Sequence, residues 1–157
     1  MQLTRHTDYA LRVLIHLAAS PDGRATIAQI ADAYGLSRNH LMKVVHGLAQ
    51  GGFIATQRGR GGGFSLAHAP EEISIGAVVR HSEPDMRMAD CATCPISPSC
   101  GLTGILAQAA AAFLAVLDRH SLSDATRDRA GLAAIIAALP GPDALVSGDA
   151  PCAPRLD

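Results

Sequence analysis

Apolar residues recur at helical spacing near the start of the chain. Tyr9, Val13, Leu14 and Leu17 predict a helix from Thr7 to Ala19, ended by Pro21-Asp22-Gly23. Thr26-Ile-Ala-Gln29 is a capping-box signature, with Thr26 as N-cap and Gln29 at the third helical position. That helix runs to about Tyr34 and stops at Gly35. Ser37 then caps a third helix, Arg38 to about Gln50, whose inward stripe is Leu41, Val44, Val45 and Leu48. Two short helices joined by Tyr34-Gly-Leu-Ser37 make a helix-turn-helix pattern.

The period then shortens to that of strands. Phe53-Ile-Ala-Thr56 and Gly63-Phe-Ser-Leu-Ala67 are strand-like and flank the Gly-rich tip Arg58-Gly-Arg60-Gly-Gly-Gly63. A hairpin with a basic tip directly after a helix-turn-helix reads as a wing. A short helix follows from Ser74 to about Arg80. Leu102 to about Arg119 is a long Ala-rich helix with Ile105, Leu106, Ala109, Phe113, Val116 and Leu117 on one stripe, and a further helix is expected from Ser123 to about Leu139. From Pro140 onward, five Pro/Gly residues in twelve positions predict a disordered tail.

Composition agrees with a mainly α protein. Of 157 residues, 48% are apolar but only 3% aromatic, and none is Trp, so Ala, Leu, Ile and Val must build the core. The net charge of −1 hides an asymmetry: residues 1–68 carry seven Lys/Arg against three Asp/Glu, and residues 69–157 carry six against eleven. A basic front half points to a polyanionic partner for that half alone. No apolar run approaches the roughly 18 residues of a membrane span. The first residues lack the charged-then-apolar order of a secretory signal, and a cytoplasmic protein is expected.

The third helix opens Ser37-Arg38-Asn39-His40 and continues to Lys43. In helix-turn-helix proteins that end enters the major groove, where Arg brackets guanine and Asn brackets adenine. Arg38, Asn39 and His40 are therefore candidates for base reading. Lys43, Arg58 and Arg60 are candidates for phosphate affinity, with Thr26 and Ser37 at helix N-termini. A solvated first helical turn is the bland alternative for Arg38-Asn39-His40, and the adjoining Arg-Gly wing weighs against it.

Cys91, Cys94 and Cys100 lie within ten residues, spaced Cys-x2-Cys-x5-Cys, in a loop stiffened by Pro95 and Pro98. Three soft donors on one loop suit zinc or an iron–sulfur cluster, each needing a fourth ligand. From the residues alone these two stand level, with a disulfide far behind. His81 and His120 are the nearest histidines and have no characteristic zinc-ligand spacing to the cysteines. Cys152 stands apart in the tail. There is no nucleophile–base pairing and no phosphate-binding motif, so an enzyme is not expected, and a pure adaptor would not explain the Arg-Gly wing.

Several runs carry a family resemblance over roughly residues 1–125. They are Met1-Gln-Leu-Thr-x-x-Thr-Asp8-Tyr-Ala-Leu-Arg12, Tyr34-Gly-Leu-Ser-Arg-Asn-His-Leu-Met-Lys43-Val-Val, Arg58-Gly-x-Gly-Gly-Gly, Ile75-Gly-x-Val-Val-Arg80-x-x-Glu-Pro84, and the cysteine loop through Leu102. The chain resembles the winged-helix iron–sulfur repressors that include IscR, RirA and NsrR. Asp8, the Ser-Arg-Asn-His-Leu-Met-Lys stretch and Glu83-Pro84 make it similar to the nitric-oxide-sensing, NsrR-type branch.

The resemblance implies a homodimer with a crossing dimerisation helix. It also implies one iron–sulfur cluster per subunit, of four irons with a two-iron cluster as the alternative. The cluster's state would govern binding to an inverted-repeat double-stranded operator, nitric oxide would be the effector, and genes for nitric oxide detoxification would be controlled. Asp8 would be the fourth ligand, given to the partner subunit's cluster beside Cys91, Cys94 and Cys100, with Arg12 offsetting the cluster's charge. The competing reading of Asp8 is a simple i,i+4 pair with Arg12.

Two departures stand out. Cys91 and Cys94 are closer together than is usual in this branch. Thr103 stands where the IscR type has a ligating His. The alternatives are an iron-responsive repressor of the RirA type and a zinc-stabilised winged-helix regulator. The expected architecture is a mainly α chain: a winged helix-turn-helix DNA-binding domain (1–81), a cluster-binding loop (82–101), a long C-terminal dimerisation helix with a following helix (102–139) and the tail (140–157).

Overall fold

A computed structural model describes residues 2–57, 59 and 61–139. Arg58, Arg60 and the expected disordered tail, Cys152 included, lie outside the described residues. The first helix, α1 (Arg5–Ala19), begins two residues before its expected start, because the Thr4 side chain caps it by accepting from Thr7 N–H at 3.3 Å. Its inward face, Ala10, Val13, Leu14 and Leu17, is fully buried. Helix α2 (Ile27–Tyr34) starts with the expected capping box: Thr26 Oγ1 accepts from Gln29 N–H at 3.2 Å, and Gln29 Oε1 accepts from Thr26 N–H at 2.8 Å. It ends at Gly35, whose φ of +62° is the left-handed conformation glycine adopts without steric cost. The resulting turn delivers α3 (Arg38–Gln50), which buries Leu41, Val44, Val45 and Leu48 against α1 and α2.

The wing has three strands rather than the two expected. Strand β1 (Arg24–Ala25), between α1 and α2, joins β2 (Ile54–Gln57) and β3 (Gly63–Leu66) in the antiparallel order β1-β3-β2. Arg24 lies opposite Ser65, and Ile54 lies opposite Leu66. A two-residue strand has too few positions to show an alternation, so its sequence alone does not mark it. Phe64 and Ile54 fix the wing to the core that α1 and α3 share.

Helix α4 (Ile75–Ser82) has the expected N-cap, Ser74, which accepts from Ala77 N–H at 3.4 Å. Helix α5 (Leu102–Asp118) runs as expected, yet none of its side chains is buried in the single chain; Ile105 is 63% and Leu102 50% exposed. The single helix expected over 123–139 is instead two, α6 (Leu122–Ala125) and α7 (Arg129–Ala138). Thr126 leaves the helical region, its hydroxyl bonded back to Leu122 O at 2.9 Å, and Asp128 then caps α7 by accepting from Gly131 N–H at 2.9 Å. Both short helices return to α1, with Leu122 fully buried in the main core. No helix among the described residues is long and apolar enough to cross a membrane.

Candidate nucleic-acid interface and thiol loop

With Leu41, Val44, Val45 and Leu48 turned inward, α3 presents Arg38, Asn39, His40, Met42, Lys43 and His46 to solvent. Of the candidate base- and phosphate-contacting positions, Asn39, His40 and Lys43 are exposed on this face. Arg38 is exposed but not unengaged: its guanidinium donates to both carboxylate oxygens of Asp32 on α2, at 3.2 and 3.3 Å. It therefore braces α2 against α3 as well as standing at the reading end. Ser37 occupies the N-cap of α3, but among the described residues its hydroxyl makes no bond to the helix, which leaves it able to meet a phosphate. Thr26 is different, because its hydroxyl is already used in the capping box of α2.

Three further residues, Arg24, Met42 and His46, belong to this surface. Arg24, on β1, is exposed and donates to Gln57 Oε1 at 2.6 Å, which adds a cation beside the wing. Its place in the sheet depends on a pairing 41 positions downstream, with Ser65. Met42 and His46 share the outward face of α3; the helical period that put Leu41 and Val45 inside could have placed both outside.

The cysteine loop is built from successive tight turns. Cys94 N–H donates to Cys91 O at 3.4 Å, Ser97 N–H to Cys94 O at 3.1 Å, and Cys100 N–H to Ser97 O at 3.2 Å. The cysteines thus stand at multiples of three residues along a chain of i→i−3 bonds, the spacing at which side chains in tight turns eclipse. All three thiols are free and half-buried. A cleft of about 560 Å³ lies between this loop and α5, with Met86, Met88, Cys91, Leu106 and Ala110 among its lining. Three unpaired soft donors on one loop fit a thiolate-bound metal or cluster. They do not complete a site by themselves: among the described residues, no three His, Cys, Asp or Glu side chains gather closely enough to hold an ion within one chain.

Asp8, on the first turn of α1, accepts from Arg12 Nε at 3.0 Å, and both side chains are close to half exposed. The loop is tied to the same helix end, because Glu83 Oε1 accepts from Thr4 N–H at 2.7 Å. The body of the domain is joined to α5 by a fork in which Arg80 Nη1 and Nη2 donate to the two Asp118 oxygens, each at 2.5 Å.

Comparisons with known proteins agree with this architecture. The family model Rrf2, described as iron-dependent transcriptional regulator, matches residues 3–128. The HTH-type transcriptional regulator NsrR of Bacillus subtilis (strain 168) is 49% identical over 135 residues, covering 82% of this chain and 92% of that protein. The NsrR of Shouchella clausii is 42% identical, with 87% and 95% covered. Among solved structures, T. potens IscR superposes with a TM-score of 0.66 at 22% identity over 82% of this chain and 88% of that one, a likeness of fold. The oxidized form of Staphylococcus aureus CymR gives 0.62 at 27% identity over 79% and 94%. With a family model spanning most of the chain and relatives this similar over most of their length, the chain belongs to the Rrf2 family, whose members are transcriptional regulators and not enzymes.

Proposed function

We propose that the protein is a homodimeric repressor whose grip on an inverted-repeat operator depends on a thiolate-held iron–sulfur cluster and is released by nitric oxide. The genes under its control would be those of nitric oxide detoxification. The reading rests above all on three free thiols in one loop, carried by a chain whose winged helix and relatives are those of transcription regulators. The unburied apolar stripe of α5, with Ile105 63% and Val116 45% exposed, supports the dimer, since a second copy of the helix would cover it.

When bound, the cluster, of four irons in this reading or of two, supplies iron centres that react with nitric oxide. Cys91, Cys94 and Cys100 would contribute three thiolates, and Asp8 a carboxylate across the subunit boundary. Arg12 holds its positive charge beside that carboxylate and would offset the negative charge of the thiolates. As a hard donor among soft ones, the Asp8 carboxylate would be the most weakly held of the four ligands. As a ligand, Asp8 would tie α1 of one subunit to the thiol loop of the other. Because α1 packs on α3, that tie would set the spacing of the two reading helices. A few ångströms of displacement forfeits base contacts worth about 1–3 kcal/mol each.

The test is anaerobic purification, with iron and sulfide analysis and a nitric oxide titration of operator binding. Iron and sulfide should co-purify with the chain, and binding should fall as nitric oxide is added. Cys94→Ala should remove the visible absorbance. A colourless protein containing zinc and binding DNA regardless of nitric oxide would overturn the reading. The description of the matched family as iron-dependent favours one second reading, a repressor that reports iron scarcity by cluster loss. Relief by iron chelation with indifference to nitric oxide would select it.

A further inference from the structure

Among the described residues of the winged helix, Met42 is the one large apolar side chain that stays open to solvent, at 50% exposure. It is surplus to the core. Leu41, Val44, Val45 and Leu48 already fill the inward face of α3, and each is at most 6% exposed. Met42 lies one helical turn from Asn39 and one from His46, with Lys43 beside it, so it sits at the middle of a polar and cationic surface.

A second copy of this chain is a poor occupant for that surface. Self-association would bring Lys43 and Arg38 against their own counterparts, and like charges oppose it. A polyanion suits the same charges. Within the major groove the choice narrows further: every base edge displays hydrogen-bonding groups, and the one apolar group on show is the C5 methyl of thymine. Methionine is unbranched and polarisable, and it moulds to such a target without demanding a fixed rotamer.

We infer that Met42 is a specificity-determining residue that reads a thymine methyl, at or next to the base pair bracketed by Asn39. The inference deepens the assignment of α3 as the reading helix and rests on it. Arg38, Asn39 and Lys43 supply directional bonds and charge. Met42 adds a discrimination that none of them provides, between thymine and every base without a methyl group.

The test starts from the duplex that the anaerobically purified holo-protein selects from a random pool. Each thymine of that duplex is replaced in turn by deoxyuridine, which removes the methyl and leaves every hydrogen-bonding group in place. In wild-type protein one thymine per half-site should lose about four-fold in affinity, the fold-change that burial of one methyl carries. In Met42→Ala, and in the equally long but polar Met42→Gln, that loss should vanish. Lys43→Ala should weaken all duplexes alike and keep the methyl preference. If no thymine is sensitive in wild type, or the sensitivity persists in both Met42 variants, the inference fails while α3 remains the reading helix. If the holo-protein selects no sequence at all, the assignment of α3 falls and takes the inference with it.

Discussion

The carboxylate of Glu83 accepts a hydrogen bond from the backbone N–H of Thr4 at 2.7 Å, across 79 positions of sequence. Thr4 is the N-cap of α1, the helix that carries Asp8 and Arg12, and Glu83 opens the segment that leads to the three cysteines. The bond makes the head of α1 and the start of the thiol loop one mechanical unit.

Replacing Glu83 by Ala should therefore loosen both ends. The bond is charge-assisted but solvent-exposed, so about 0.5–1 kcal/mol of stability should be lost. In a chain of this size that lowers the thermal midpoint by about 1–4 °C. The sharper readout is amide exchange at Thr4, which should accelerate in Glu83→Ala and be restored by Glu83→Gln. Unchanged exchange in the Ala variant would mean that the bond does not form in solution.

At Gly76, α4 passes close to the end of α5. A methyl group there would collide with the Asp118 carboxylate and would also meet Asp118 N at 2.9 Å. Gly76→Ala should cost about 1–3 kcal/mol by overpacking. It should also break the Arg80–Asp118 fork that joins the winged helix to α5. Because backbone as well as side chain is in the way, adding Asp118→Ala should recover only part of the loss. Full recovery in the double variant, measured by denaturant unfolding, would place the whole clash in the carboxylate.

His16 is buried at 7% exposure, with its ring 5.7 Å from that of Tyr34 and, among the described residues, no partner for Nδ1. Burial holds its pKa below the usual 6.5. The unfolded chain takes up a proton near pH 6.5 and the folded chain resists it. Stability is therefore complete above pH 6.5 and declines as pH falls from there toward the lowered folded value. The slope contributed by one such group is at most about 1.4 kcal/mol per pH unit. Thermal midpoints measured between pH 5 and 8 should show this decline, and His16→Phe should flatten it. A variant with the same slope as wild type would remove His16 as the cause.

Asp8 separates a local role from a distant one. As an exposed i,i+4 partner of Arg12 it contributes about 0.3–0.5 kcal/mol, so Asp8→Ala should barely change the unfolding midpoint. As a ligand, its loss should strip iron during anaerobic gel filtration and blunt the nitric oxide response. Full iron retention with a normal response in Asp8→Ala would leave only the ion pair with Arg12.

The helices of the reading domain were legible because each carries its own signals. Thr26 and Gln29 form their capping box, Gly35 takes the left-handed conformation, and the period of α3 separates Leu41 and Val45 from Asn39 and Lys43. The break between α6 and α7 was not legible, since Thr126 and Asp128 act through local bonds that compete with an otherwise helical pattern. Strand β1 has no signal of its own, because Arg24 and Ala25 become a strand only when β3 lies beside them. Among the site residues, the outward place of Asn39, His40 and Lys43 followed from periodicity. The diversion of Arg38 to Asp32 did not, because an ion pair between two helices depends on their packing.

By itself, then, the sequence determined which segments are helical, which face of α3 is inward and which loop bears the thiols. These follow from residue identity and short-range spacing, and capping, steric preference and the helical period act within a few residues of chain. Tertiary structure alone decided that Glu83 fastens α1, that Gly76 admits Asp118, that Arg24 enters the wing and that Arg38 turns to Asp32. Those four outcomes depend on surfaces that become neighbours only after the chain has collapsed, when excluded volume and the pairing of buried or bridging polar groups select among arrangements that local preference leaves equal.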